Sequence, residues 1–138
     1  MAPESSAKDR TVQTLEAPTA MSFLAALGRH DFDAAGLFLD DDASLELPFA
    51  GEGLTVRGRQ GILQFFRTSM ARSTGEIEYS LERAYPSPEA GATVLEISTR
   101  ARTAEGRPYT NRLIAIFEFR RGKISLFREY FNPLPLNR

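Results

Sequence analysis

The last apolar run of the chain, Phe127-Arg128-Glu129-Tyr130-Phe131, carries one carboxylate between aromatic residues two positions away on either side. In a strand, successive side chains point to opposite faces. Ser125, Phe127, Glu129 and Phe131 therefore share one face, and Leu126, Arg128 and Tyr130 share the other. The preceding strand sets Leu113, Ala115, Phe117 and Phe119 against Arg112, Ile114, Ile116, Glu118 and Arg120. The first sets read as a greasy interior. The second mix branched apolar residues with charge, as an outer face or a contact with a second copy would. A carboxyl on the interior side loses water, which disfavours its charged form and raises its pKa. Such a group can take a proton and return it near neutral pH. That suits enolisation, isomerisation, cyclisation or imine chemistry on a small carbonyl compound. The competing reading is an anchor: Glu129 paired with an interior Arg or Asn, or turned outward by a bulge.

Other chemistry-bearing residues are sparse. The chain has no cysteine, which excludes disulfides, thiolate metal sites and cysteine nucleophiles. The single histidine, His30, falls in a turn beside Arg29 and Asp31 and reads as a solvated or capping residue. One His and scattered carboxylates do not make a metal site. Asp40, Asp41 and Asp42 are contiguous, unlike a calcium loop, and read as a solvated helix end. Gly51, Gly53 and Gly58 lack the following Lys-Ser/Thr of a phosphate-binding loop, so no nucleotide cofactor is implied. Tyr109 and Asn111 stand at the start of their strand, where either can donate a hydrogen bond at one end of a pocket. Glu96 and Ser98 share one face of another long strand, and Glu96 with Arg100 can also be a simple ion pair.

Positioning these groups requires a scaffold, and 138 residues fit one domain. Residues 1–17 are polar and small and read as a flexible lead-in, with Val12 and Leu15 leaving room for an earlier helix start. Residues 18–138 form the domain. Pro18 suits a first helical turn, Met21, Phe23, Leu24 and Leu27 form a stripe, and Gly28 is a natural stop. A second helix is predicted over 32–39, a strand over 43–49, a glycine-punctuated loop, and a third helix over 59–72. From Glu76 onward the chain reads as strands: 76–85, 93–103, 109–120 and 124–131, joined by turns. Helices first and a meandering sheet afterwards is an α+β pattern. Phe23, Phe38, Phe65, Phe66 and Phe127 are core or pocket wall.

This order, with the tail Gly122-Lys123-Ile124 … Arg128-Glu129-Tyr130-Phe131-Asn132-Pro133, resembles the SnoaL-like branch of the nuclear-transport-factor-2-like superfamily over residues 18–133. From Asn111 to Asn132 it is similar to the phenazine-biosynthesis A/B proteins, with Asn111, Phe117, Glu118, Gly122, Lys123, Ile124, Arg128, Glu129 and Asn132 in register. The resemblance implies a cone-shaped α+β barrel, its three helices packed on a strongly curved, mostly antiparallel sheet, usually a homodimer, with a deep pocket. Set against ketosteroid isomerase, the base falls on Leu47 and the two oxyanion donors on Phe23 and Ala115, all apolar. Against limonene-epoxide hydrolase, the Arg falls on Glu96, the middle Asp on Ser98, the last Asp on Glu129, and the Tyr and Asn on Ser44 and Glu46. That register turns Glu46 inward as a possible acid–base partner for Glu129; the steroid-isomerase register turns it outward.

The expected function is a cofactor-free acid–base enzyme of isomerase or cyclase type, with secondary metabolism as its expected setting and Glu129 and Glu46 as catalytic carboxylates. Its substrate is a small, largely apolar carbonyl compound touching Ser44, Phe23, Phe66, Glu96, Ser98, Ala115, Phe117, Phe127 and Asn111. The alternatives are a non-catalytic small-molecule-binding or protein-interaction domain, and an epoxide hydrolase. A net charge of −1 argues against nucleic acid or an anionic membrane as partner. The N-terminus has no apolar leader segment, and a cytoplasmic location is expected.

Overall fold

The computed structural model describes residues 4–73 and 75–134, with side chains described over 16–72 and 75–134. Helix α1 (Glu4–Gly28) opens the chain, followed by the short α2 (Phe32–Gly36). Strand β1 (Leu39–Leu47) and strand β2 (Leu54–Arg57) form a hairpin before helix α3 (Arg59–Ser73). Strands β3 (Glu78–Ser87), β4 (Ala92–Arg102), β5 (Pro108–Arg120) and β6 (Lys123–Phe131) complete the fold. The six strands form one curved mixed sheet in the order β2-β1-β6-β5-β4-β3. Only the β1–β6 pair is parallel. The sheet is not closed, so β2 and β3 are its two edges. The predicted α+β class and curved, mostly antiparallel sheet hold, as an open sheet rather than a full barrel.

Three elements differ from the sequence reading. Helix α1 begins at Glu4, so positions 4–17 are helical and Pro18 lies inside the helix rather than at its start. Residues 1–3 of the expected lead-in lie outside the described residues. Helix α2 stops at Gly36, and Asp40–Asp42 belong to β1 rather than to a helix end. Their stretch lies where β1 breaks register with β6, between the pairs Leu39–Ile124 and Ser44–Leu126, which lets the carboxylates reach water. Strand β2 is absent from the sequence reading. It has four residues, follows a glycine loop, pairs only with β1 and is half exposed.

The helices cover one face of the sheet: α1 packs on β3 and β4, and α3 on β1 and β2. The core lies between these layers. Phe23 of α1 meets Phe117 and Phe127 edge-on at 6.3 and 5.6 Å, and those two rings stack at 4.7 Å. Edge-on and offset stacked pairs are the favoured aromatic geometries. Inward residues alternate along β4, where Thr93, Leu95, Ile97, Thr99 and Ala101 are buried. The C-terminal end of α1 is tied to the chain entering β3. The Ile77 N–H donates to the Gly28 carbonyl at 2.9 Å, and His30 Nε2 lies 3.1 Å from the Gly75 carbonyl. The approach is so close that a Cβ on Gly28 would sit 2.0 Å from the Ile77 carbonyl oxygen. No described helix is long and apolar enough to cross a membrane.

Candidate active site

Glu129 reaches the interior because β6 contains a one-residue bulge. Near the β5–β6 turn Phe119 pairs with Ile124, and beyond it Glu118 pairs with Leu126 and Phe117 with Phe127, leaving Ser125 without a partner. Ile124 and Phe127 are thus both buried. From Phe127 onward, odd-numbered residues point inward, and Glu129 lies opposite the buried Ala115. The sequence reading had Ser125 on the inner face; the bulge gives that place to Ile124 instead.

The Glu129 carboxyl lines a cavity of about 260 Å³ between α3 and the sheet. Phe65, Phe66 and Met70 of α3, with Leu47, Leu113 and Phe131 of the sheet, make most of its wall apolar. Phe66 also stacks on Phe127 at 6.3 Å, joining the wall to the aromatic core. Burial alone pushes the Glu129 carboxyl from 4.5 up to about 7. No hydrogen bond or ion pair from a described residue offsets that effect. Near neutral pH the group is thus poised between its two protonation states.

Five polar side chains share the cavity besides Glu129: Tyr79, Thr99, Tyr109 and Asn111 from the sheet, and Ser69 from α3. Tyr79, Thr99 and Asn111 form one row across three strands, since Tyr79 pairs with Thr99 and Thr99 with Asn111. Burial, then the Glu129 charge, raises the pKa of Tyr79 above the ordinary phenol value. Tyr109 is raised by burial, lowered by a hydrogen bond from Asn111, and raised by Glu129. Both phenols therefore keep their protons at neutral pH and can donate to a ligand oxygen. The arrangement combines one tunable carboxyl, two neutral donors and an apolar wall, and it can move a proton on a bound carbonyl compound.

Residues 20–127 match the family model of the SnoaL-like domain. The chain belongs to this family. It is 26% identical over 119 residues to the uncharacterised protein YesE of Bacillus subtilis, covering 84% of this chain and 80% of that one. Its fold is that of the nuclear-transport-factor-2-like proteins. An epoxide hydrolase of the limonene-epoxide-hydrolase type from Mycobacterium tuberculosis superposes with a TM-score of 0.69 at 24% identity, covering 87% of this chain and 84% of that one. A phenazine biosynthesis-related protein from Pseudomonas aeruginosa superposes with a TM-score of 0.74 at 15% identity, covering 94% and 90%. At these identities the likeness carries the fold and not the chemistry.

Within this SnoaL-like domain the residues singled out from sequence separate into three groups. Glu129, Phe66 and Asn111 meet at the cavity. Phe23, Ala115, Phe117 and Phe127 are fully buried in the core and do not line it. Glu46, Ser44, Glu96 and Ser98 lie on the outer face of the sheet, away from Glu129. This corrects the inward placement of Glu46: Ala43, Leu45 and Leu47 take the inner positions of β1, so alternation turns Ser44 and Glu46 out. Glu46 there pairs with Arg128, its neighbour in register, at 2.8 Å. Glu96 accepts a hydrogen bond from Tyr85 at 2.7 Å, and Ser98 donates to Glu82 at 2.7 Å. Glu96 is thus held by Tyr85 rather than paired with Arg100. With Thr99 and Ser69, Tyr79 is a polar cavity residue that sequence reasoning missed. Its alternation with Ile77 gave its face, but nothing marked that face as one end of a cavity.

Proposed function

We propose that this SnoaL-like domain is a cofactor-free acid–base catalyst of isomerase or cyclase type, acting on a small, largely apolar carbonyl compound. One observation carries the reading: the Glu129 carboxyl sits in an apolar cavity, without a protein partner among the described residues and with its pKa near 7. As the carboxylate, it takes a proton from the carbon beside the carbonyl. As the acid, it returns that proton to another atom of the same conjugated system. A tyrosine hydroxyl receives the negative charge that develops on the carbonyl oxygen. General acid–base help of this kind contributes about 10²–10⁴-fold. The cavity is a little smaller than the roughly 300–1,000 Å³ typical of drug-sized ligands, which favours a compact ring compound.

The epoxide-hydrolase alternative called on Glu46 beside Glu129, and the pairing of Glu46 with Arg128 on the outer face removes that partner. The test uses a panel of small cyclic ketones and enones in deuterated buffer. Proton exchange and double-bond migration are followed by NMR for the wild type and for Glu129→Gln. Wild-type turnover lost in a folded E129Q supports the proposal. Turnover that survives in full in a folded E129Q sinks it. Compounds that bind without turnover favour the non-catalytic binding reading.

A further inference from the structure

We propose that Asn111 is a positioning residue that makes the Tyr109 hydroxyl a dedicated hydrogen-bond donor into the cavity, so that the site selects ligands by an acceptor oxygen. The inference rests on the preceding reading only in placing the ligand beside Glu129.

Asn111 is buried on the inner face of β5. Its Oδ1 accepts from the main-chain N–H of Arg112 at 2.8 Å and of Asn132 at 3.3 Å. Its Nδ2 donates to the Asn132 carbonyl at 2.8 Å. These main-chain groups are fixed as donors and acceptor, so only one orientation of the amide satisfies them. The flipped amide would set N–H against N–H and oxygen against oxygen. The remaining Nδ2 proton then meets the Tyr109 hydroxyl at 2.8 Å. An amide nitrogen accepts nothing, so the hydroxyl oxygen must be the acceptor in that pair. Its own proton is left to point elsewhere, and Tyr109 lines the same cavity as Glu129. Donation to the phenol oxygen also polarises the O–H bond. A carbonyl, enolate or phenolate oxygen matches this donor; a protonated amine or another pure N–H donor does not.

The probe is 1-indanone labelled with ¹³C at its carbonyl, with oxygen-free indane as the control. Bound to the wild type, the carbonyl infrared band is expected to lie below its position in an apolar solvent. Tyr109→Phe should return the band toward that position and weaken indanone binding roughly 2–10-fold, while leaving indane unaffected. Asn111→Asp keeps acceptor oxygens for the two main-chain N–H groups but loses the donor, so Tyr109 turns its proton onto the new carboxylate. The same loss of band shift is expected. Should that variant fail to fold, the Asn111 side-chain amide resonances answer instead, and they should move in Y109F without any ligand. The proposal is overturned by any of three results: no indanone binding or band shift in the wild type, a band that keeps its wild-type shift in Y109F or folded N111D, or amide resonances indifferent to Y109F. Failure of the acid–base reading is separable, because E129Q should keep the shifted band whether or not it loses turnover.

Discussion

Replacing Glu129 by Gln removes the charge while keeping the shape, so the variant mimics the protonated side chain at every pH. The folded carboxyl titrates at about 7 against an ordinary value of 4.5. The folded chain therefore holds this proton more tightly than the unfolded chain. The associated stability is fully present below about pH 4.5 and is lost as the pH rises through about 7. At about 1.36 kcal/mol per pKa unit, wild type and E129Q should be equally stable near pH 4.5 and diverge progressively above it. Beyond pH 7–8 the variant should lead by about 3 kcal/mol, less if water enters the cavity. For a chain of this length that is roughly 10 °C in Tm. The assay is urea unfolding of both proteins at half-unit steps from pH 4.5 to 9, followed by circular dichroism. All other titrating groups are common to the two chains, so the pH dependence of the difference isolates Glu129. A difference that stays flat from pH 5 to 9 would refute the desolvated carboxyl, and with it the basis for a proton shuttle.

Three further outcomes are expected. Glu46→Gln breaks a half-exposed ion pair with Arg128; it should cost no more than about 1 kcal/mol in thermal unfolding and leave the affinity of cavity ligands unchanged. Phe127→Ala empties the centre of the aromatic cluster and should cost about 3–5 kcal/mol by urea titration. Gly28→Ala places a methyl group 2.0 Å from the Ile77 carbonyl oxygen, so the variant should lose about 1–3 kcal/mol. Because Ile77 lines the cavity, ligand binding by G28A should weaken more than stability alone accounts for.

The parts of the fold written in local pattern were legible. The apolar stripe ending at Gly28, the helix over 59–72 and the long alternating strands all rest on periodicity, which a single sequence displays. Local pattern failed where tertiary pairing overrides it. Asp40–Asp42 are poor strand formers, and their stretch is extended because Leu39 on one side and Ser44 on the other are paired to β6. Strand β2 holds its four residues only through β1. For Glu46, alternation with Leu45 and Leu47 already carried the right answer. The register borrowed from another enzyme pointed the other way, and the burial of those two leucines decides between them.

Glu129, Phe66, Tyr109 and Asn111 were legible one by one, but not as one candidate site, because its members converge only in three dimensions. Tyr79, Tyr109, Asn111 and Glu129 come from three strands, and the row Tyr79–Thr99–Asn111 depends on two hairpin registers at once. Even the face of Glu129 depends on a single residue that alternation alone does not reveal. Had β6 continued regularly from the Phe119–Ile124 pair, Leu126 would have faced Phe117, and Arg128 would have faced Ala115. The interior would then hold a guanidinium, which stays protonated at any physiological pH and can shuttle nothing. The bulge at Ser125 moves Phe127 onto Phe117, where the two rings stack at 4.7 Å, and the same step carries Glu129 inward and Arg128 out to Glu46. Aromatic packing in the core and the placement of a carboxyl in the cavity are thus set by one displaced residue.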